Sequence, residues 1–309
     1  MKNADTNFFS YLKKDAANEP TNCNATAFSK LKQAKAHKNI SGVSAALRNM
    51  SIIENEEVLL EKDKTSEFTI KVANTLEERE AVFNLGYRVY LEKGYVKENT
   101  NQWLVLDYDA KPETLILMVK DKNNNIAGSV TLVFKNKSSL PAEKIYKEEI
   151  NLLAVNGKKL VEISRLVIDP NYRNSKEIIL LLFNYLSIYA HHIKSYDSLM
   201  IQVNPRHVGY YEKLLNFQEI GQEKMCPSVQ NAPAILMELP LAKYQSEVKR
   251  FSNNPSQNKK ERLLYASFLK ADQESLVAYY LEKQVKPISA EEKLYFGFSE
   301  SGIHQKVYA

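Results

Sequence analysis

The sequence predicts an α/β fold: a central sheet of mixed direction, covered by helices on both faces. Three observations carry this. Apolar segments between about Phe68 and Glu238 read strand–helix–strand–strand–strand–helix–strand–helix–strand–strand, which mixes hairpins with crossovers. The stretch Leu160–Arg173, LVEISRLVIDPNYR, alternates for nine residues and then turns into an apolar helix. Asn123-Asn124-Asn125 separates two strand-like runs with residues that tolerate positive φ.

In chain order, Phe68–Val72 reads as a short strand, and Thr75-Leu76-Glu77-Glu78 opens a helix running to about Tyr90. Two apolar stripes on that helix, one through Val82, Leu85 and Val89 and one through Phe83, Tyr87 and Tyr90, predict burial on both sides. Arg88 sits near its C-terminal end, where a cation suits the helix dipole. An irregular segment, Tyr95 to Lys111, holds Trp103, Asp107 and Asp109. Strands over Thr114–Lys120 and Ile126–Phe134 follow, the second with Gly128 where a backbone or ligand would come close. A short polar helix, about Ala142 to Asn151, leads to the central strand.

On that strand Leu160, Glu162, Ser164, Leu166 and Ile168 share one face, and Val161, Ile163, Arg165 and Val167 the other. Desolvating a carboxylate or a guanidinium is costly unless each is paired. An apolar helix spans about Ser175 to His192, and Ser198–Val203 is the next strand. Asn204-Pro205 stops it, and a helix from Arg206 to Leu215 ends at Asn216, which tolerates the left-handed conformation. Phe217–Gly221 and Ala234–Glu238 read as a closing antiparallel hairpin.

Residues 1–66 form a polar N-terminal extension, 67–241 the α/β domain, and 242–309 a helical C-terminal extension able to act as a lid. Charged residues are 26% and hydrophobic ones 44% of 309, as in ordinary globular proteins, and the net charge of +5 suits an acidic partner. No dense Lys/Arg stripe with interleaved aromatics points to nucleic acid. Cys23 and Cys226 are the only cysteines, and five scattered histidines give no metal-ligand spacing. No apolar run reaches membrane-spanning length, which leads to the expectation of a cytoplasmic protein, with transient membrane contact left open.

The stretch Val203-Asn204-Pro205-Arg206-His207-Val208-Gly209-Tyr210-Tyr211-Glu212-Lys213-Leu214-Leu215-Asn216-Phe217 resembles the end of the GNAT (GCN5-related N-acyltransferase) fold. A narrower resemblance is to the branch of FeeM-type long-chain N-acyl amino acid synthases and acyl-homoserine lactone synthases. It is carried by Glu162-x-Ser164-Arg165, Arg88-Val89-Tyr90 and Gly128-Ser129-Val130-Thr131. Asp107 and Asp109 fall where the branch has acidic residues, and Cys226-Pro227 with Asn231-Ala232-Pro233 resembles the N-acyl amino acid synthases. One departure stands out. Arg173-Asn174-Ser175-Lys176-Glu177-Ile178 has Lys176 and Ile178 where coenzyme A members carry small residues that let backbone amides reach a pyrophosphate.

This resemblance implies a long-chain acyl transfer from acyl carrier protein to the amine of an amino acid or similar small molecule. No resident cofactor or metal is implied; the donor is an acyl-phosphopantetheine thioester, on carrier protein or on coenzyme A. Glu162 would deprotonate the amine, Tyr211 would protonate the departing thiolate, and Ser164 and Arg165 would complete the catalytic group. Substrate contacts would come from Arg88, Tyr90, Trp103, Asp107, Gly128, Ser129, Val167, Arg173, Asn204 and Arg206. Arg88 or Arg165 would hold the acceptor carboxylate, or else pair with Glu162 or Asp107. A lactone synthase, an ordinary acyl-CoA-dependent N-acetyltransferase and a non-catalytic acyl or carrier-protein binding module remain open.

Overall fold

A computed structural model of the chain describes residues 67–253, 263–299 and 302–303. The N-terminal extension expected over 1–66 lies outside the described residues, as do residues 254–262, 300–301 and 304–309 of the C-terminal extension. Eight strands form one sheet in the order β1 (Phe68–Val72), β2 (Leu115–Asp121), β3 (Ile126–Phe134), β4 (Leu160–Ile168), β5 (Ser198–Val203), β8 (Ala232–Pro240) and β6 (Gln218–Glu219), with β7 (Lys224–Cys226) also paired to β8. All neighbours are antiparallel except β4 and β5, which run parallel. A further short pair, β9 (Phe298–Ser299) and β10 (Gly302–Ile303), follows.

Eight of the nine residues of β3 are buried, because both faces of the sheet are covered. On one face lies α3 (Lys176–Ile188), whose Ile178, Ile179, Leu182, Phe183 and Leu186 share a cluster with Val161, Ile163, Leu199 and Ile201. On the other face α1 (Leu76–Glu92) packs Val82 and Phe83 against Ile116 and Met118. Beside it α2 (Glu143–Val155) packs Tyr146 and Ile150 against Leu160, Met200 and Leu236. The start of α1 is capped as expected, with Thr75 Oγ1 accepting the Glu78 N–H at 3.3 Å. Asn216, after α4 (Val208–Leu215), is left-handed at φ 57°.

The structure differs from the sequence reading at the closing hairpin. The closing hairpin is a three-strand arrangement, with β6 cut to two residues and β7 inserted. At Gly221 an added Cβ would meet the Tyr146 ring at 2.7 Å, and the Tyr146 hydroxyl donates to the Gln222 and Ala234 carbonyls. The ring fills the space into which a side chain at position 221 would project, while Ile220 and Gly221 still donate to the Leu236 carbonyl. Past β8, the C-terminal extension opens with α5 (Leu241–Asn253), whose Leu241, Tyr244, Val248 and Phe251 join the α3-side cluster. Tyr265, Phe268 and Leu281 of the following segment and α6 (Ala271–Gln284) join it too, while Ile288, Phe296 and Phe298, around α7 (Ala290–Tyr295), pack with Phe83.

Tyr265 shows how firmly this extension is seated. Its ring stacks edge-on against Tyr244 and Phe268, and its hydroxyl donates to the Leu215 carbonyl. Tyr265→Ala should therefore lower the unfolding free energy by about 3–5 kcal/mol in a denaturant titration. A loss under about 1 kcal/mol would show that the extension is not part of the folded core.

Candidate active site

The site begins where β4 and β5 part. Their pairing runs only from Leu160–Ser198 to Ile163–Ile201, yet β4 continues to Ile168 and β5 to Val203. Just past the last pair, the β3–β4 register shifts between Ser129 and Thr131, and Arg165 adopts φ 46°. An L-residue pays for that conformation, so something must hold it. The bulge also swaps the faces of the strand. Leu166 and Ile168 pack with the α3-side cluster, together with Val161 and Ile163, while Arg165 lies against Phe83 and Tyr108 on the α1 side. The uninterrupted alternation expected from the sequence thus stops at Ser164.

Arg165 is held by four oxygen contacts. Nη1 donates to Leu104 O and Asp109 Oδ2, both at 2.8 Å; Nη2 donates to Asp109 Oδ1 at 2.6 Å and Thr131 Oγ1 at 3.0 Å. Both side chains of the Arg165–Asp109 pair are fully buried. Burial works against the guanidinium's charge, but Asp109 outweighs it and keeps Arg165 protonated. Its partner is thus neither Glu162 nor Asp107. Arg88 is likewise committed, to Asp169 at 3.1 Å and Asn84 at 3.0 Å, and its side chain lies outside the cleft described below.

Glu162 precedes the bulge on the same face as Arg165 and is buried, with no cation in hydrogen-bond contact among the described residues. Its Oε2 accepts the Ala142 N–H at 2.8 Å, and its Oε1 accepts from Gln202 Nε2 at 2.9 Å. Burial pushes its carboxyl up to about 7; Glu143 adds to the rise, and the two hydrogen bonds and Lys144 oppose it. Beside it, Ser164 Oγ and Tyr108 Oη lie 2.7 Å apart.

A cleft of about 1930 Å³ runs through the fork and opens on both faces of the sheet. Glu162, Ser164, Arg165 and Tyr108 line its α1–α2 side; Ile163, Leu166, Ile179, Ile201 and Tyr211 line its α3 side. Tyr90, Trp103, Asp107, Val167, Arg173, Asn204 and Arg206 also line it, but Arg88, Gly128 and Ser129 do not. Gly128 instead lets the sheet close on itself: an added Cβ would meet Ile178 Cγ2 at 2.9 Å and Val167 O at 3.1 Å. Ser129 is fully buried in β3. Trp103 stacks on Tyr295 and Phe296 of the extension, both at 5.3 Å, and Arg173 pairs with Glu92.

Tyr211 packs among Phe183, Tyr210 and Phe217, and burial raises its phenol well above the ordinary tyrosine value. Burial also pushes Tyr90 up to about 12. Lys93, Lys97, Lys111, Lys144 and Lys147 stand around the cleft, against Asp107, Glu143 and Glu162. Among the described residues, none after Ala234 lines it, so the extension buttresses the fold there and does not form the cleft wall. Gln202 and Tyr108 are cleft residues that the sequence reading passed over. A polar residue on the otherwise apolar strand SLMIQV was the available signal for Gln202.

A mixed sheet forked at its parallel pair, with a buried carboxyl at the fork, is the architecture of an N-acyltransferase of the GNAT fold. The chain belongs to the N-acyl amino acid synthase FeeM family, whose model matches residues 81–240. The structure of FeeM, an N-acyl amino acid synthase from uncultured soil microbes, is 25% identical and superposes over 58% of this chain and 93% of its own with a TM-score of 0.51. Two further structures are similar at lower identity. The AHL synthase LasI is 13% identical over 57% of this chain and 91% of its own, at TM-score 0.45. The CoA-dependent acyl-homoserine lactone synthase BjaI is 13% identical over 57% and 83%, at TM-score 0.43. No curated protein matches the chain. The protein is an N-acyltransferase that moves an acyl group to an amine.

The elevated Glu162 carboxyl carries a stability cost of known sign. Its folded value near 7 exceeds the ordinary 4.5, so stability is full below about 4.5 and falls as pH rises through about 7. Glu162→Gln stays neutral, and the Gln202 amide can turn to match it. The variant should therefore unfold with wild-type stability near pH 4.5 and exceed it by about 3 kcal/mol near pH 8. A variant less stable than wild type at both pH values would mean that the carboxylate is a structural anchor.

Proposed function

We propose that this enzyme transfers a long-chain acyl group from acyl carrier protein to the amine of an amino acid. The observation that carries the reading is Glu162, a buried carboxyl titrating near 7 at the opening of the β4–β5 fork. A base of that strength is half-ionised at neutral pH and strong enough to accept a proton from an attacking amine. In the reaction the amine lone pair forms the new N–C bond on the thioester carbonyl, and Glu162 takes the proton lost from nitrogen. The C–S bond breaks onto sulfur, and the thiolate is protonated by Tyr211, which burial keeps neutral. Ser164, hydrogen-bonded to Tyr108, stands beside the reacting centre.

The parted strands leave backbone groups of β4 and β5 free of each other beyond Ile163 and Ile201, where a pantetheine arm has partners. The apolar α3 side of the cleft suits a long chain. For the acceptor's carboxylate, Arg165 and Arg88 are already committed, whereas Lys144 lines the cleft close enough to influence Glu162 electrostatically. A carrier-protein donor is supported by the lysines around the cleft and by Ile178, whose side chain fills the space under Gly128 at the start of α3. We place the protein in the cytoplasm, with residues 67–241 as the catalytic unit and the C-terminal extension as its support.

The test is incubation with a long-chain acyl carrier protein, or the matching coenzyme A thioester, and mixed amino acids, read by mass spectrometry. N-acyl amino acids should form faster from the carrier protein, and Glu162→Gln should lower kcat by about 10²–10⁴-fold. Product from coenzyme A alone would overturn the donor assignment. Release of methylthioadenosine from S-adenosylmethionine would assign a lactone synthase, and no acyl transfer at all would leave a binding module.

A further inference from the structure

Gln202 lies on β5 one residue beyond the last β4–β5 pair, on the face that carries Glu162. Its Nε2 donates to Glu162 Oε1 at 2.9 Å. When Glu162 is ionised it only accepts, so the amide then presents its NH₂ to Glu162 and turns its carbonyl oxygen away. That oxygen, Oε1, is buried with no hydrogen-bond partner, in a side chain that lines the cleft. A buried acceptor without a donor is costly, and Gln202 lies just past the end of the β4–β5 pairing. Of the five buried polar atoms in this condition among the described residues, Gln202 Oε1 is the acceptor that shares its side chain with a contact to Glu162.

We infer that Gln202 is the residue that orients the acceptor and restricts it to primary amines, its Oε1 accepting one N–H while Glu162 removes the proton from another. This rests on the reading of Glu162 as the base. A neutral primary amine has one lone pair and two N–H bonds. The lone pair forms the N–C bond, one N–H proton passes to Glu162, and the C–S electrons leave with sulfur, which takes the Tyr211 proton. The second N–H stays on the product amide and keeps its bond to Gln202 throughout. A secondary amine has a single N–H, which Glu162 must take, so Oε1 stays unpaired and faces an alkyl group.

The same side chain sets the base. Glu162 is faced by the Ala142 N–H, Glu143 and Lys144 from α2, by Tyr90 from α1 and by Gln202 from β5. Gln202 and Ala142 are the two donors that favour its ionised form. Replacing Gln202 with the similarly shaped methionine removes one of them, so the carboxyl becomes harder to ionise.

The experiment measures kcat/KM for the amino acids that turn over and for their N-methyl derivatives, with acyl carrier protein as donor, across a pH series. Wild type should prefer the primary amine by about a hundredfold or more. In Gln202→Met that ratio should drop to about tenfold or less, and the acid limb of the pH profile should move up by about one unit. An unchanged ratio in Gln202→Met overturns the inference. So does a wild-type enzyme that uses both amines equally well, a result that needs no folded variant. Failure of the base reading looks different: Glu162→Gln would keep its activity and its acid limb, whereas failure at Gln202 leaves a Glu162-dependent limb with an unmoved ratio.

Discussion

The buried guanidinium of Arg165 is the constraint on which the site's geometry depends. A charge in the middle of a sheet has to find acceptors or unfold its surroundings. Here it finds Asp109, the Leu104 carbonyl and Thr131, but only because β4 bulges and Arg165 takes a left-handed backbone. That one residue ties the irregular segment before β2 to the centre of the sheet. It also turns the rest of β4 over, so that Leu166 and Ile168 move to the α3 side. Beyond the bulge β4 no longer pairs with β5, and the cleft occupies the opening. The pair is thus a geometric device; its net contribution to stability is a separate matter, because desolvation offsets much of the attraction.

With Arg165 paired to Asp109, Glu162 has no cation in contact among the described residues. Had the two been paired, as strand neighbours suggest, the carboxylate would be held low and unable to act as a base near neutral pH. Burial instead raises it, and the Ala142 N–H and Gln202 limit the rise. Segregating the two charges therefore does chemical work: one ion pair shapes the fork, and the remaining carboxyl stays reactive. Arg88, paired with Asp169, is a second cation committed away from the cleft.

Much of this was legible in the sequence. The bounds of β3 and β5 matched the expectation because turn residues and apolar periodicity agree there, and Asn216 was marked by its tolerance of positive φ. Glu162, Ser164, Arg165 and Tyr211 do converge on one cleft. What was not legible depends on contacts distant in the chain. A one-residue bulge leaves no periodic trace, so the faces after Ser164 were inverted. Asp109 rather than Asp107 meets Arg165 because of how the short turn Asp107–Ala110 is closed, with Asp109 also accepting the Leu106 N–H. The packing of Tyr146 on Gly221 joins residues 75 positions apart.

The central claim is that Glu162 is a neutral-range carboxyl in the resting enzyme. Difference infrared spectroscopy of wild type against Glu162→Gln, following the protonated carboxyl stretch through a pH titration, observes that group directly. The account predicts a band that disappears with a midpoint at about 7. A midpoint near the ordinary glutamate value, about 4.5, would contradict it and remove Glu162 as the base.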